Sequence, residues 1–317
     1  YQLSALSGRG TGDVVTLLLG MDGSVVSVVT GYEVNSTYYG VVQSYENIAS
    51  TDGAAKAQTE VTVACTNGTV QTFTMDGTSA FSVGRLVSVT VSDGQVSVKS
   101  LSEKSIKGTI DSSGTKLGNY TFADNVEILD TTSTGDYVTV KPARLAGQTL
   151  DDSDVRYYVL AASGNISHLI LDDVTGDTWN YGFMIEVDEP DADEMGGQTS
   201  YSYIMDGVKT TLTPMNVEYD AKEERGFGVR YDASGNIKTF RNLTAVSLTQ
   251  LNTWTALAEN KTYTVSEEVQ VCLYQNGEYY PTNLSSINAE DYTLTGYYDD
   301  FGCTAGQQIR VIVAKPK

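Results

Sequence analysis

Short runs of alternating apolar and polar residues dominate the chain, and glycine-containing turns separate them. Valine, threonine, tyrosine and isoleucine alternate with polar residues over 5–8 positions, which is the pattern of half-buried β-strands. Paired runs around a turn predict six hairpins. They span Val14–Val29, Thr62–Met75, Leu86–Leu101, Val155–Leu171, Gly228–Leu243 and Tyr292–Val313. We therefore expect an all-β fold.

The turns and the few helical segments refine this picture. The dipeptide Asn67-Gly68 predicts a tight hairpin, because Asn and Gly both accept positive φ at the two turn positions. Helical signal is thin, and we expect only one or two turns in each of three segments. These segments are Thr253–Glu259, Leu284–Glu290 and Pro142–Gly147.

The same strand and turn signals recur about 140 residues later. Tyr181-Gly182 restates Tyr39-Gly40, at an offset of 142, and the segment 263–265 restates 120–122, at an offset of 143. Self-similarity at a fixed period is typical of stacked repeat units. The sequence therefore predicts two copies of one unit, 38–179 and 180–317. Residues 13–40 match 154–182, so the chain is expected to start inside an earlier copy.

Each copy is expected to contain two small β modules of about five strands. Five strands are too few for a full sandwich, and they suit a partly closed barrel that limits exposed edges. The predicted fold is thus a tandem array of five-stranded, barrel-like or sandwich modules. The expected division is 1–37 (tail of a preceding repeat), 38–104, 105–179, 180–247 and 248–317.

The net charge of the chain disfavours some classes of binding partner. The net charge is −20, from 40 acidic and 20 basic residues. Nucleic acids and anionic membrane surfaces need clustered Lys and Arg, so neither is an expected partner. No apolar run approaches the ~18 residues of a spanning helix. Spread acidic charge is typical of a soluble, monomeric, exported protein.

Few residues are candidates for catalysis, disulfide formation or metal binding. The three cysteines, Cys65, Cys272 and Cys303, have no metal-binding spacing. A Cys272–Cys303 disulfide is one interpretation, and buried small hydrophobes are the other. The single histidine, His168, matches Ser27 and Thr239 in other hairpins, which predicts the solvent side of a strand. No catalytic motif is present, and we expect no enzyme activity and no cofactor.

Three acidic loops are candidate calcium sites. Calcium takes six to eight oxygen ligands from carboxylates and carbonyls on flexible loops. The best candidate ligands are Asp172, Asp173 and Asp177, and a second group consists of Asp188, Asp191 and Asp193. The third acidic loop is Asp151–Asp154. None of the loops has the order of an EF-hand. Solvated loops with local Asx turns are the competing interpretation.

Tyrosine is heavily used, at 21 of 317 residues. Adjacent tyrosines on a strand face opposite ways, so at most one of each pair is expected in a core. The others either lie on the surface as ordinary strand residues or stack on sugar rings. A spacer would leave its tyrosines scattered, whereas a binding module would gather two or three on one face of one module.

One segment carries a resemblance. The stretch Asn165–Gly182 (NISHLILDDVTGDTWNYG), within an acidic, Ser/Thr/Gly-rich and Cys-poor repeat, resembles repeat regions beside S-layer homology domains. These regions occur in exported proteins of Gram-positive, often gut-dwelling, Firmicutes. The anchoring motif itself is absent here. The resemblance implies a cell-surface location, a wall-attached parent protein and no catalytic residues.

Together these observations predict a structural spacer of a bacterial cell-surface or cell-wall-associated protein, with cell-envelope or cell-wall polymers as its partners and glycans as further candidate partners. The alternative is an adhesin module that binds glycans or host ligands, with or without calcium. An enzyme would instead need a deep pocket lined by carboxylates.

Overall fold

The fold is all-β in the computed structural model, which describes residues 15–19, 25–30, 36–49, 57–92, 94–190 and 197–317. Within these ranges the only helices are two short 3-10 helices, Pro142–Leu145 and Leu284–Ser286. The chain divides into two compact units, Tyr1–Val174 and Thr175–Lys317. The finer division of each unit into two modules stays a prediction.

The first unit begins with a two-stranded hairpin, followed by a five-stranded sheet. The hairpin pairs β1 (Val15–Leu19) with β2 (Val25–Thr30) in antiparallel fashion, and its Asp22-Gly23 turn lies outside the described residues. The strands of the sheet are β3 (Thr37–Ile48), β4 (Gln58–Cys65), β5 (Val70–Asp76), β6 (Leu86–Ser92) and β7 (Gln95–Ser100). Their order is β5-β4-β3-β6-β7.

The central strand β3 fixes the geometry of this sheet. A Cβ at Gly40 would lie 2.0 Å from the carbonyl oxygen of Ala64 on β4, so the close approach of the two strands requires glycine. The β3–β4 register shifts after Val42, and such a bulge increases strand twist. The sheet curls until its edge strands β5 and β7 pack together. Valines from β4, β6 and β7 fill its concave face.

A second sheet completes the first unit. The remaining strands are β8 (Gly108–Thr109), β9 (Lys116–Leu117), β10 (Tyr120–Thr131), β11 (Tyr137–Thr139), β12 (Thr149–Leu150), β13 (Val155–Leu160) and β14 (Ile166–Asp172). The order is β11-β10-β14-β13, with β9 on β10 and a separate β8–β12 pair. Strand β14 runs parallel to β10 and antiparallel to β13. Leu129 and Ile170 of this sheet pack against Val41 of β3.

The second unit opens with another five-stranded sheet. Its strands are β15 (Asn180–Asp188), β16 (Ser200–Met205), β17 (Val208–Leu212), β18 (Arg225–Tyr231) and β19 (Ile237–Asn242). The order is β17-β16-β15-β18-β19, which is the order of the β3–β7 sheet. Gly182 occupies the place of Gly40, and the β15–β16 register shifts after Met184 as the β3–β4 register shifts after Val42.

A seven-stranded sheet completes the second unit. Its strands are β20 (Thr244–Leu248), β21 (Gln250–Leu251), β22 (Thr255–Ala258), β23 (Lys261–Gln275), β24 (Glu278–Thr282), β25 (Tyr292–Tyr298) and β26 (Ile309–Pro316). The order is β20-β25-β26-β23-β22-β21, with β24 on β23. Strand β26 is parallel to β23. The register of this pair shifts between Val265 and Gln270 of β23, as the register of the β10–β14 pair shifts between Phe122 and Glu127 of β10.

All six predicted hairpins are present as antiparallel strand pairs. The prediction of positive φ at both Asn67 and Gly68 is wrong, because only Gly68 has positive φ. Four residues separate the facing strand ends here, so a type I turn closed by a glycine fits the loop. The two-residue turns at 206–207 and 276–277 do have positive φ at both positions.

Two other sequence-based expectations are corrected. The segment Thr253–Glu259 contains the strand β22 and not a helical turn, because Ala256 and Ala258 alternate into the core while the backbone pairs with β23. At most one tyrosine of each adjacent pair is expected in a core, but both are packed where the two faces of the strand are covered. Tyr297 joins one core cluster, and Tyr298 packs against another on the opposite face.

Candidate functional site

The acidic loops place their carboxylates in different environments. Asp172 is exposed at the end of β14, and Asp173 has positive φ while its N–H donates to the carbonyl of Thr131. Asp188 is exposed at the end of β15. Asp191 and Asp193 lie outside the described residues. Across the described ranges, no group of three or more His, Cys, Asp or Glu side chains could hold a metal ion. The calcium site stays a prediction.

Asp177 has a basic partner that its sequence neighbours do not reveal. Nη1 of Arg310 lies 2.6 Å from Oδ1 of Asp177, and Nε lies 3.1 Å from Oδ1 of Asp299. Arg310 also donates to the carbonyl of Thr175 through Nη2 at 2.8 Å. Arg310 and Asp299 are 2% and 1% exposed. The charge of Asp177 is therefore compensated by an arginine of the chain itself.

This buried network shapes the loop between β25 and β26. Oδ1 of Asp299 accepts the N–H of Gln308 at 2.7 Å, which closes the loop at its base. Burial raises the pKa of the Asp299 carboxyl, and the adjacent guanidinium of Arg310 opposes that rise. A buried charge of this kind is tolerated only while its partner is present. The network ties the β25–β26 loop and the segment of Thr175 and Asp177 to β26.

His168 is not on the solvent side of its strand, so that prediction is wrong. Its side chain is 22% exposed, its ring centroid lies 4.7 Å from that of Tyr39, and Nε2 lies 3.5 Å from Oε2 of Glu127. Burial lowers the pKa of His168, while Glu127 opposes the shift. The parallel ladder places His168 in the position of Val311, which is fully buried. Alignment of the hairpins by their turns instead matches His168 with the polar residues Ser27 and Thr239.

Ser167, His168 and Glu127 form a contact that sequence reasoning missed. Oγ of Ser167 lies 2.9 Å from Nδ1 of His168. A serine that contacts a histidine, which in turn contacts a carboxylate, is the arrangement that activates a serine nucleophile. Here Ser167 Oγ also donates to the carbonyl of Val159 at 3.3 Å, and Glu127 accepts from Oγ1 of Thr66 at 2.6 Å. We interpret the contacts as ties between β14, β13 and β10.

The cysteines are all free. Cys65 and Cys272 are buried, and burial raises the pKa of each thiol to about 12. The Cys272–Cys303 disulfide considered from the sequence is therefore not formed, and Cys272 packs within a hydrophobic cluster as a small apolar side chain.

The β15–β19 sheet carries an aromatic cleft, which we define by the side chains that line it. These are Met184, Tyr201, Tyr203, Met205, Leu212, Tyr219, Phe227, Tyr231, Ile237 and Phe240. The cleft is a shallow groove with about 10 Å³ of free space, which is room for roughly one water molecule. All ten side chains are uncharged, and four are tyrosines. Four of the 21 tyrosines are thus brought together on one sheet.

Strand alternation positions the rings of the aromatic cleft. Tyr201 and Tyr203 are two apart on β16, so both point to the same face. Phe227 and Phe240 stack with centroids 5.1 Å apart and planes at 15°. Tyr219 comes from the loop before β18 and stacks on Phe240 at 5.7 Å.

The floor of the cleft is buried and its rim is partly open. Tyr201 and Phe227 are each 2% exposed and form the floor, whereas Tyr231 is 36% exposed. Tyr203, Tyr219 and Phe240 are half-buried. Most of these side chains belong to one hydrophobic core cluster, in which the half-buried rings pack against the buried Met184, Tyr201 and Phe227.

The hydroxyl groups of the cleft influence one another. Oη of Tyr201 accepts the N–H of Tyr219 at 2.9 Å, which anchors the loop. Burial raises the pKa of Tyr203, Tyr219 and Tyr231, and neighbouring phenols add to the rise for Tyr219 and Tyr231. The phenols of Tyr203, Tyr219 and Tyr231 are therefore neutral at neutral pH. The signal for this cleft was in the sequence as aromatic residues at inward-facing positions.

Comparison of the chain with protein-family models, with curated proteins and with solved structures gives no match. Of the described residues, none forms a helix with the length and hydropathy needed to cross a membrane.

Proposed function

We propose that this chain is a non-catalytic, structural repeat region of a bacterial cell-surface protein. In this role, tandem β units space other parts of the protein from the cell envelope, and cell-wall polymers are the surroundings. The repeat, the extracellular location and the absence of catalysis are parts of the same proposal.

One observation carries the proposal. The sheets of β3–β7 and β15–β19 have the same strand order and a register shift at the matching place. The parallel pairs β10–β14 and β23–β26 also share their register shift. Matching ladders about 142 residues apart support a tandem repeat of one unit, and arrays of such units serve as spacers and scaffolds.

Charge and polar chemistry are consistent with this role. The net charge of −20 favours solubility outside the cell. The buried polar cluster around Arg310 ties a loop to a sheet. The resemblance of Asn165–Gly182 to repeat regions beside S-layer homology domains supports a surface location.

Surface exposure tests the proposal. Antibodies raised against the purified chain would be applied to intact and to lysed cells of the source organism, with a cytoplasmic protein as the control. We expect equal labelling of intact and lysed cells, and loss of the signal after brief protease treatment of intact cells. Labelling that appears only after lysis would refute a surface role.

A further inference from the structure

We propose that β2 is a central strand whose open edge docks a parallel strand of the β10 and β23 kind, supplied by a further unit of the same repeat. This docking rests on the tandem repeat of the proposed function, and it adds the strand that joins the first hairpin. It follows from the likenesses and differences of three hairpins, β1–β2, β13–β14 and β25–β26.

The β1–β2 hairpin has the same place in the chain and the same register as β13–β14. It precedes the sheet β3–β7, as β13–β14 precedes the sheet β15–β19. In β1–β2, β13–β14 and β25–β26 the register skips one residue of the second strand. The skipped residues are Val26, Ser167 and Arg310. Order and register together make β2 the counterpart of β14 and β26.

The residue types of β2 are those of a central strand. The hairpin β18–β19 has the same skip, but β19 lies at an edge of its sheet and carries its two apolar residues, Ile237 and Phe240, apart from each other. Strand β2 instead reads VVSVVT, with apolar residues at adjacent positions. The apolar runs Leu169–Leu171 of β14 and Val311–Ala314 of β26 are buried throughout. Such a run is typical of a strand that is covered on both faces.

Strand β2 lacks the second neighbour that β14 and β26 have. Strand β14 lies between β13 and β10, and β26 lies between β25 and β23. In the part of the chain that the structure describes, β1 and β2 instead form a sheet of two strands. A lone two-stranded hairpin is marginally stable in water, and the open edge of a strand is a template for pairing. The edge of β2 that faces away from β1 is thus a docking edge.

The two completed hairpins specify the incoming strand. Strands β10 and β23 are 12 and 15 residues long, and each runs parallel to the second strand of its hairpin. In both pairs a Glu or Gln faces the counterpart of Ser27, and an Ile or Val faces the counterpart of Val28. These pairs are Glu127 with His168, Gln270 with Val311, Ile128 with Leu169, and Val271 with Ile312. The partner is therefore a long strand in which an apolar run follows a Glu or Gln.

The long strands of this chain are already engaged. Strand β10 lies between β11 and β14, and β23 lies between β26 and β22. A second copy of the chain could supply β10 or β23 only by releasing one of its own hairpins. A further repeat unit, whose long strand still lacks its parallel hairpin strand, is the partner that fits.

Binding is tested with the whole chain and a synthetic peptide that has the β10 sequence, YTFADNVEILDT (Tyr120–Thr131). This strand contains no cysteine, whereas β23 contains Cys272. Backbone amide exchange of residues 25–30 would be measured with up to ~1 mM peptide, a concentration that detects weak affinity. We expect exchange to be at least about tenfold slower at saturation, because strand pairing protects amide groups. A scrambled peptide of the same composition should have no effect.

The direction of the docked peptide distinguishes this pairing from other edge contacts. In the β10–β14 pair, Phe122 near the start of β10 faces Ile166 at the start of β14. A nitroxide at the amino terminus of the peptide should therefore broaden the amide signal of Val25 more than that of Thr30. A nitroxide at the carboxyl terminus should have the opposite effect.

Two variants with the same substitution locate the contact. Val28 corresponds to Leu169 and Ile312, which are both fully buried. We expect Val28→Ser to weaken peptide binding at least about tenfold, because it removes apolar contacts from a covered position. Val26→Ser is the matched control, since it introduces the residue that β14 has at the skipped position. Val26→Ser should leave binding unchanged.

Three results would overturn the proposal. One is no slowing of exchange in residues 25–30 at ~1 mM peptide, in a chain whose circular dichroism shows that it is folded. Another is an equal effect of Val26→Ser and Val28→Ser. The third is an antiparallel order of broadening, or a dimer of the chain joined through β2 that the peptide does not dissociate. Each would leave the labelling of intact cells unchanged, so failure of the docking is distinguishable from failure of the surface role.

Discussion

At five matched positions the β3–β7 sheet carries valine and the β15–β19 sheet carries an aromatic residue. The strand order and the bulge of the two sheets are the same. The first sheet curls until β5 and β7 pack together, and the rings of the second sheet pack as a core that leaves only a groove the size of one water molecule. The comparison teaches that alternation and backbone pairing set the ladder, and that one ladder accepts core side chains of different volume.

The closing hairpins extend the comparison. In the first unit the β13–β14 turn is short, and Ser167 stands at the position that Arg310 takes in the second unit. The longer β25–β26 loop of the second unit is held by the buried Arg310–Asp299 pair. The same ladder thus supports an ordinary turn in one unit and a buried ionic network in the other.

The largest expected effect comes from breaking that network. Arg310→Met leaves Asp299 buried without its partner, so we expect a loss of ~3–5 kcal/mol in the free energy of unfolding. Both tryptophans, Trp179 and Trp254, lie in the second unit, so tryptophan fluorescence during urea titration reports this unit. Lys315→Met, which breaks an exposed pair on the same strand, should cost less than ~1 kcal/mol. Equal losses for the two variants would show that the buried network stabilises the fold no more than an exposed ion pair does.

The glycines of the central strands test whether the two sheets share one backbone. Gly40→Ala brings a methyl group within 2.0 Å of a backbone oxygen, whereas in Gly182→Ala the nearest atoms are a Phe227 ring carbon at 2.7 Å and a backbone oxygen at 2.8 Å. We expect losses of ~3 kcal/mol and ~2 kcal/mol respectively, since backbone yields less than a side chain. Circular dichroism during denaturation measures both. A neutral Gly40→Ala would contradict the close strand approach.

Exchange of core residues tests the role of volume. Phe227→Val creates a cavity among rings that remain in place, and we expect a loss of ~2 kcal/mol. The reverse exchange, Val87→Phe, overfills the closed valine core and should cost ~1–3 kcal/mol. Thermal melting of both variants beside the wild type provides the measurement. If either exchange were stabilising, the two cores would be interchangeable and the comparison would fail.

The smallest expected effect concerns His168, whose counterpart is the buried Val311. His168→Ala removes the contacts with Tyr39 and Glu127, so we expect a loss of ~1 kcal/mol at pH 7. Because burial lowers the pKa of His168 in the folded state, the unfolded state binds a proton more readily. The contribution of the neutral imidazole is therefore present above the unfolded pKa of ~6.5 and is lost as the pH falls below it.

The variant His168→Val isolates this pH dependence. Unfolding by urea at several values between pH 7 and pH 5 should show a smaller acid-induced loss for His168→Val than for the wild type. The variant Glu127→Gln removes the opposing charge and should make the loss larger. Identical pH slopes for the wild type and His168→Val would show that the histidine titrates alike in the folded and unfolded states.

Local patterns predicted the strands well, because the period of two and the glycine turns are properties of short segments. The sequence did not reveal which strands run parallel, since β10 and β14 belong to runs separated by other elements. Asn67-Gly68 and Asn276-Gly277 are the same dipeptide in different turns, because strand pairing sets loop length and thereby the turn type.

The sequence also predicted only part of the candidate site. The excess of tyrosine and its two possible arrangements were visible in the composition. The gathering at Tyr201, Tyr203, Tyr219 and Tyr231 depends on a loop and two strands that meet only in the fold. The Asp177–Arg310 pair joins residues 133 positions apart, so a search of the neighbouring sequence for a basic partner could not find it.

The parallel pairing of β26 with β23 has a consequence for the folding of the second unit. Strand β26 lies between β25 and β23 in the sheet, although it is the last strand of the unit to be synthesised. Until it emerges, β23 and β25 each present an unpaired edge, which is a template for association with other chains. Closure also depends on contacts between distant parts of the sequence, which slows folding. A chain kept unfolded until β26 is complete therefore avoids the most aggregation-prone intermediate of this topology.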